Sequence, residues 1–200
     1  MTCPSASIWR QLSVLPSAKE VYASRMDPNF HFGPARRGET TAYGARTPDP
    51  SLRSIFEWGD FMRAHGVARV CCLLDAGQLA GFPVNLEAEY KRLFGATCVL
   101  MEPIADHHLC SRHVLSGNIL PFLRTADSGG ERVVIHCWGG NGRTGHVLAA
   151  WLVAARGLSP VDAITAVEAT GRLPQEAVLA GNATFDELID LLASCEPQKG

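Results

Sequence analysis

Residues 133–145 read Val133-Val134-Ile135-His136-Cys137-Trp138-Gly139-Gly140-Asn141-Gly142-Arg143-Thr144-Gly145. The apolar opening predicts a buried strand, Glu131 to His136, that delivers Cys137 to a glycine-rich loop. An apolar helix from about Thr144 to Arg156 follows directly, with Gly157 placed to end it. Glycines at 139, 140 and 142 let successive backbone N–H groups turn inward, which makes a concave site for an anion. The helix start adds positive dipole potential at the same point. Arg143 brings a planar guanidinium able to hold two oxygens of one tetrahedral oxyanion. A thiol among such donors should favour its thiolate form. Strand, loop and helix together therefore point to a cysteine nucleophile facing an oxyanion.

Outward from that stretch, strands and helices alternate. Thr41 to Ala45 reads as a short strand inside a loop rich in Gly, Pro, Arg and Thr (26–50). That loop also carries Arg36, Arg37 and Arg46, either solvated charges or the rim of an anion site. Ser51 caps a helix with Ile55, Trp58, Phe61 and Met62 at helical spacing, ended by Gly66. Val67 to Leu74 is a strand ending at Asp75, Asn85 to Phe94 a helix stopped by Gly95, and Thr97 to Leu100 another strand. Ser111 to Arg124 is helical in pattern, with a kink or break at Pro121. Ser159-Pro160 opens a helix to about Thr170, and Thr184 with Glu187 forms a capping box for a last helix through Leu192. This order predicts an α/β fold, one domain with a central, mostly parallel sheet flanked by helices. The domain is expected over 26–195, with 1–25 as an N-terminal extension.

Composition narrows the classes. The chain has 200 residues, 46% of them apolar, enough for a full core and against a disordered chain. Eighteen Lys plus Arg face 20 Asp plus Glu, a net charge of -2. That balance gives no whole-molecule field for nucleic acid or an anionic membrane. No stretch is apolar over the ~20 residues that span a bilayer, and the start lacks a signal-peptide pattern. A soluble, cytoplasmic protein is expected. Seven cysteines without any C-x-x-C argue against both a disulfide scaffold and a zinc ribbon.

His136-Cys137, five residues, then Arg143-Thr144 resembles the H-C-x5-R-[ST] signature of cysteine-dependent protein tyrosine phosphatases. The Thr144-Gly145 continuation and short chain make it most similar to the dual-specificity branch. The resemblance implies a two-step, metal-independent reaction that needs no cofactor. Cys137 attacks phosphorus and becomes a phosphocysteine. Arg143 and the loop Trp138, Gly139, Gly140, Asn141 and Gly142 bind the phosphoryl oxygens, and water then hydrolyses the intermediate. Thr144 would hydrogen-bond the sulfur, and His136 would hold the loop from behind. Trp138 is bulkier than is frequent at its position, and is a pocket wall or a packing residue.

The leaving oxygen needs a proton. Glu102-Pro103-Ile104-Ala105-Asp106-His107-His108 resembles the acid loop of dual-specificity phosphatases, which makes Asp106 the candidate acid and Asp75 its competitor. His107 and His108 either touch substrate or steady that loop. Many relatives position the second-step water with a glutamine; Asn182 or Gln175 would take that part here. Some protect the nucleophile with a neighbouring thiol, and strand alternation lets either Cys71 or Cys72, not both, point toward Cys137.

The leading expectation is a phosphatase of phosphotyrosine and related phosphoproteins, with no nucleic acid or membrane partner. Alternatives are a phosphatase of RNA 5′-phosphates or phosphoinositides, a phosphate-binding pseudophosphatase, and a sulfur-transfer protein. Neither lysine nor a second arginine lies between Cys137 and Arg143, which weakens an inositol polyphosphate reading.

Overall fold

A computed structural model describes residues 29–196. The extension expected over 1–25 lies outside the described residues. Five strands form one sheet in the order β1-β2-β5-β3-β4. These are β1 (Gly33–Pro34), β2 (Ala42–Arg46), β3 (Val67–Cys72), β4 (Val99–Met101) and β5 (Arg132–Cys137). Only β1 runs antiparallel to its neighbour; the other pairings are parallel. The sheet is therefore mostly parallel, as the alternation of elements predicts.

The central strand β5 is apolar on both faces because each face meets its own core. Val133, Ile135 and Cys137 face a core shared with Cys71 and Leu73. Over that face lie α5 (Gly142–Arg156), α6 (Pro160–Glu168) and α8 (Phe185–Ala193). Val134 faces the other core, under α1 (Leu52–Ala64) and α3 (Leu86–Phe94). Helix α5 is buried on every side from Gly142 to Ala154, which explains why its sequence is apolar all round rather than striped.

The expected caps are present. Ser51, Asn85 and Ser159 each accept a backbone N–H of their helix, and Thr184 with Glu187 forms the capping box. Two short helices do not stand out from the sequence, α2 (Ala76–Ala80) and α7 (Glu176–Leu179). Pro121 does not break its helix. A π turn at Leu115–Ile119 precedes it, and the helix α4 (Arg112–Ser128) runs through both. The widened turn accommodates a residue that lacks a backbone donor. The strand expected at Thr97 begins at Val99, because Ala96–Cys98 form a 3-10 turn first. No helix among the described residues is long and apolar enough to cross a membrane.

One charged network ties the far end of α5 to the sheet edge. The Arg156 guanidinium donates to Glu39 at 2.9 and 3.0 Å and to Asp127 at 2.7 and 3.1 Å. Trp151 Nε1 donates to Glu39 at 3.3 Å. Burial pushes the Glu39 carboxyl up, but hydrogen bonds from Arg156, Thr41 and Trp151 outweigh it and hold the group below its ordinary value of 4.5. Arg156 likewise holds Asp127 below 3.8. Both carboxylates thus contribute stability that is complete above these ordinary values and is lost as pH falls through the lowered folded ones. Arg156→Met leaves a buried carboxylate without its cation, and a loss of about 3 kcal/mol is expected. Denaturant melts at pH 7 and pH 4 check both statements. The difference between wild type and variant should shrink at the lower pH.

Candidate active site

The carboxyl ends of β3, β4 and β5 lie side by side, so the loops that follow them share one rim, where open α/β sheets bind ligands. The ladder continues past the strands. Leu73 N donates to His136 O at 2.8 Å, Glu102 N to Cys72 O at 2.9 Å, and Ile104 N to Leu73 O at 3.2 Å. This is what brings the loop holding Asp106 to the loop holding Cys137.

Cys137 is the last residue of β5 and is 2% exposed. Thr47 N donates to Cys137 O and Trp138 O at 3.0 and 3.2 Å, pinning the start of the loop to the strand-end of β2. Gly140 has φ +75° and lies against β2. A Cβ there would meet Ala45 O at 2.5 Å and Arg46 N at 2.7 Å, so no other residue fits. Thr144, in the first turn of α5, donates its hydroxyl to Cys137 Sγ at 3.2 Å.

Arg143 is anchored on one side and paired with Asp106 on the other. Its Nη1 donates to Gln78 Oε1 at 2.8 Å, Ile104 O at 3.1 Å and Leu73 O at 3.4 Å. Its Nη2 pairs with Asp106 Oδ1 at 2.7 Å. The buried Nε finds no hydrogen-bond partner among the described residues. The Nε–Nη2 edge is the fork that can grip two phosphoryl oxygens. Asp75, the competing carboxylate, caps α2 in a capping box with Gln78. Through Gln78 it supports Arg143.

His136 points to the other face of the sheet, wedged edge-on between Trp58 (5.2 Å) and Tyr90 (5.5 Å). Burial pulls its pKa down to about 3, so it is a neutral wedge behind the loop. Trp138 packs against that second core. In the loop of Asp106, His108 Nδ1 lies 2.7 Å from Asp106 O. His107 adopts φ 57° and sits between two carboxylates, Asp106 at 3.7 Å and Glu176 at 3.8 Å. Asn182 Nδ2 donates to His107 O at 3.0 Å, which ties it to the loop of Asp106, whereas Gln175 Nε2 donates to Glu168 at 2.6 Å. Cys71 and Cys72 face opposite cores, Cys71 on the side of Cys137. Burial pushes both thiols up, Cys72 to about 12. All six described cysteines are free.

Three residues of the site carry no motif in the sequence. His146 accepts Cys110 N at Nε2 (3.1 Å), which ties the segment after Asp106 to α5; burial lowers its pKa to about 4 and keeps it neutral. Arg172 is buried behind the sheet edge, donating to His31 O at 3.0 Å and Gly33 O at 3.3 Å. Burial lowers its pKa to about 10. Glu176 packs against Gly142, where a Cβ would collide with its carboxylate. Among the arginines of the 26–50 loop, Arg46 is buried over the Phe30 ring and bonds Thr47 O and Asp49.

A family model described as the Swiss Army Knife protein, DSP-PTPase phosphatase domain (PTP-SAK) matches residues 62–185, more than half of the chain. The chain belongs to the DSP-PTPase phosphatases. The matched span includes Cys137, Arg143 and Thr144. Among solved structures this phosphatase is similar to Tk-PTP in its active form, at 26% identity and TM-score 0.59, covering 79% of this chain and 92% of that one. It also shares the fold of PTPMT1 in complex with PI(5)P, at 16% identity and TM-score 0.63, over 82% of this chain and 96% of that one. TpbA of P. aeruginosa in complex with pTyr has the same fold at 21% identity and TM-score 0.50, over 84% and 93%. No curated protein matches the sequence.

Proposed function

We propose that this phosphatase hydrolyses phosphomonoesters on protein side chains, phosphotyrosine foremost, through a phosphocysteine intermediate. The observation that carries the reading is one chain of contacts. Thr144 donates to Cys137 Sγ, and Arg143 is held by three acceptors with its fork toward Asp106. In the first step the Cys137 thiolate attacks phosphorus and the P–O bond of the ester breaks. Asp106 gives its proton to the leaving oxygen, and Arg143 with the α5 N-terminus holds the three remaining oxygens.

The pocket supports a singly phosphorylated group better than a polyphosphate. Asp106 and Glu176 both stand at the rim, and no lysine lies in the loop. A second phosphate would meet carboxylates there rather than cations. The lipid complex of PTPMT1 keeps a phosphoinositide as the competing substrate.

Turnover of phosphotyrosine, phosphoserine and phosphothreonine peptides, phosphoinositides and 5′-phosphorylated RNA, all with chelator present, separates the readings. Phosphopeptides should lead in kcat/KM. A phosphoinositide in front would move the assignment to lipids, and peptide binding without turnover would leave a pseudophosphatase. In the same assay Asp106→Asn should slow leaving groups of high pKa by about 10²-fold and p-nitrophenyl phosphate far less. Equal loss across the series would show that Asp106 is not the acid.

A further inference from the structure

The turn from Asn29 to Phe32 is built against backbone preference. Phe32 N donates to Asn29 O at 2.8 Å, and both residues between them have positive φ, 52° at Phe30 and 50° at His31. Turns with two such residues ordinarily take Asn, Asp or Gly there, and bulkier side chains are strained. The turn is held from two sides. Arg46 N donates to Phe30 O at 2.8 Å, with the Arg46 guanidinium over the Phe30 ring, and Arg172 Nη2 donates to His31 O at 3.0 Å. Arg172 passes β2 at Gly44, where a Cβ would collide with its guanidinium.

What this arrangement delivers to the catalytic loop is an imidazole. His31 Nε2 lies 3.4 Å from Arg172 Nη1, and His31 Nδ1 lies 3.5 Å from Gly139 O. An arginine nitrogen only donates, so Nε2 accepts, the ring proton sits on Nδ1, and Nδ1–H points at the Gly139 carbonyl. That carbonyl belongs to the peptide joining Gly139 to Gly140, which has no Cβ on either side to resist rotation. The peptide is trans, so its C=O and N–H point opposite ways. A carbonyl held outward by His31 therefore aims Gly140 N–H into the loop. Turned over, the same peptide would present an oxygen to the anion.

We infer that His31 is a positioning residue for the phosphate loop, fixing the Gly139–Gly140 peptide so that the Gly140 amide faces the phosphoryl oxygens. This rests on the phosphatase reading above. Arg172 acts one step further back, by setting the tautomer of His31 and bonding its carbonyl. The strained turn is thus the support for one donor of the anion site, and a donor fixed before substrate arrives needs no reorganisation during reaction.

Two variants of the full chain separate this role from a merely structural one. His31→Gly removes the imidazole at a φ that suits glycine, and His31→Asn keeps an N–H near the place of Nδ1 in a residue that tolerates the same φ. Calorimetric titration with inorganic phosphate is set beside turnover of p-nitrophenyl phosphate. The glycine variant should bind phosphate about tenfold more weakly and lose about tenfold in kcat/KM, part of the cost of one oxyanion donor. The asparagine variant should recover both to within about threefold of wild type, because it restores the donor. A turn that mattered only for the backbone would favour glycine over asparagine, the opposite order. Phosphate affinity in His31→Gly equal to wild type, or His31→Asn no better than His31→Gly, would overturn the assignment. An inactive wild type would overturn the phosphatase reading instead, and the phosphate titrations would still decide the role of His31.

Discussion

Cys137→Ser should lower turnover by at least about 10⁴-fold and leave phosphate binding nearly intact. The scale follows from hydrolases in which removing the nucleophile costs about 10⁶ in kcat. A serine hydroxyl at this position has no base bonded to it among the described residues. The side-chain hydrogen bond at Sγ comes from the Thr144 hydroxyl, a donor that favours a thiolate and does nothing to deprotonate an alcohol. The exchange is nearly isosteric at a residue 2% exposed, and the loop is held by Thr47 and by the fit of Gly140 against β2 rather than by sulfur. Steady-state hydrolysis of p-nitrophenyl phosphate and calorimetric titration with phosphate measure the two quantities. A variant that keeps its rate would mean that the nucleophile lies elsewhere.

The second large effect is expected at Arg143. Arg143→Lys keeps the charge and loses the fork. Nη1 is committed to Gln78, Ile104 and Leu73 while Nη2 and Nε face the opposite way, and one ammonium cannot serve both directions. Removing a single oxyanion donor typically costs about 10² to 10³ in kcat, and Arg143 supplies two together with their charge, so a loss of about 10³-fold or more is expected. Phosphate affinity should fall as well, which distinguishes this variant from Cys137→Ser in the same titration. If Arg143→Lys bound phosphate as tightly as wild type, the fork would not be the phosphate ligand.

The strand–loop–helix carrying Cys137 and Arg143 is legible because every part of it is local in sequence. The apolar strand, the glycines and the helix start follow one another without a gap, and the sheet class follows from the alternation around them. Asp106 is legible as a resemblance, but its contact with Arg143 depends on β3 standing between β4 and β5, a matter of topology that no local pattern contains. Arg172, His146 and Glu176 are unreadable for the same reason. Each comes to the loop from a different element and sits in no motif, and a histidine inside an apolar helix looks like core until its Nε2 is seen accepting Cys110 N–H. Gln175 and Asn182 have the right chemistry, but side-chain direction decides their partners. The first turns back to Glu168, and the second reaches over to the His107 carbonyl.

The Arg143–Asp106 contact at 2.7 Å has a consequence for which ions the pocket accepts. The guanidinium is already neutralised by a carboxylate tethered beside it, so an arriving anion competes with a neighbour that never diffuses away. A monovalent ion such as chloride only trades one negative charge for another and gains little. A phosphate dianion brings more charge and enough oxygens to engage Nη2 and Nε together, and can displace the carboxylate. The tethered aspartate should therefore make the loop prefer phosphate over simple salt, which comparing chloride and phosphate as inhibitors of p-nitrophenyl phosphate hydrolysis would check.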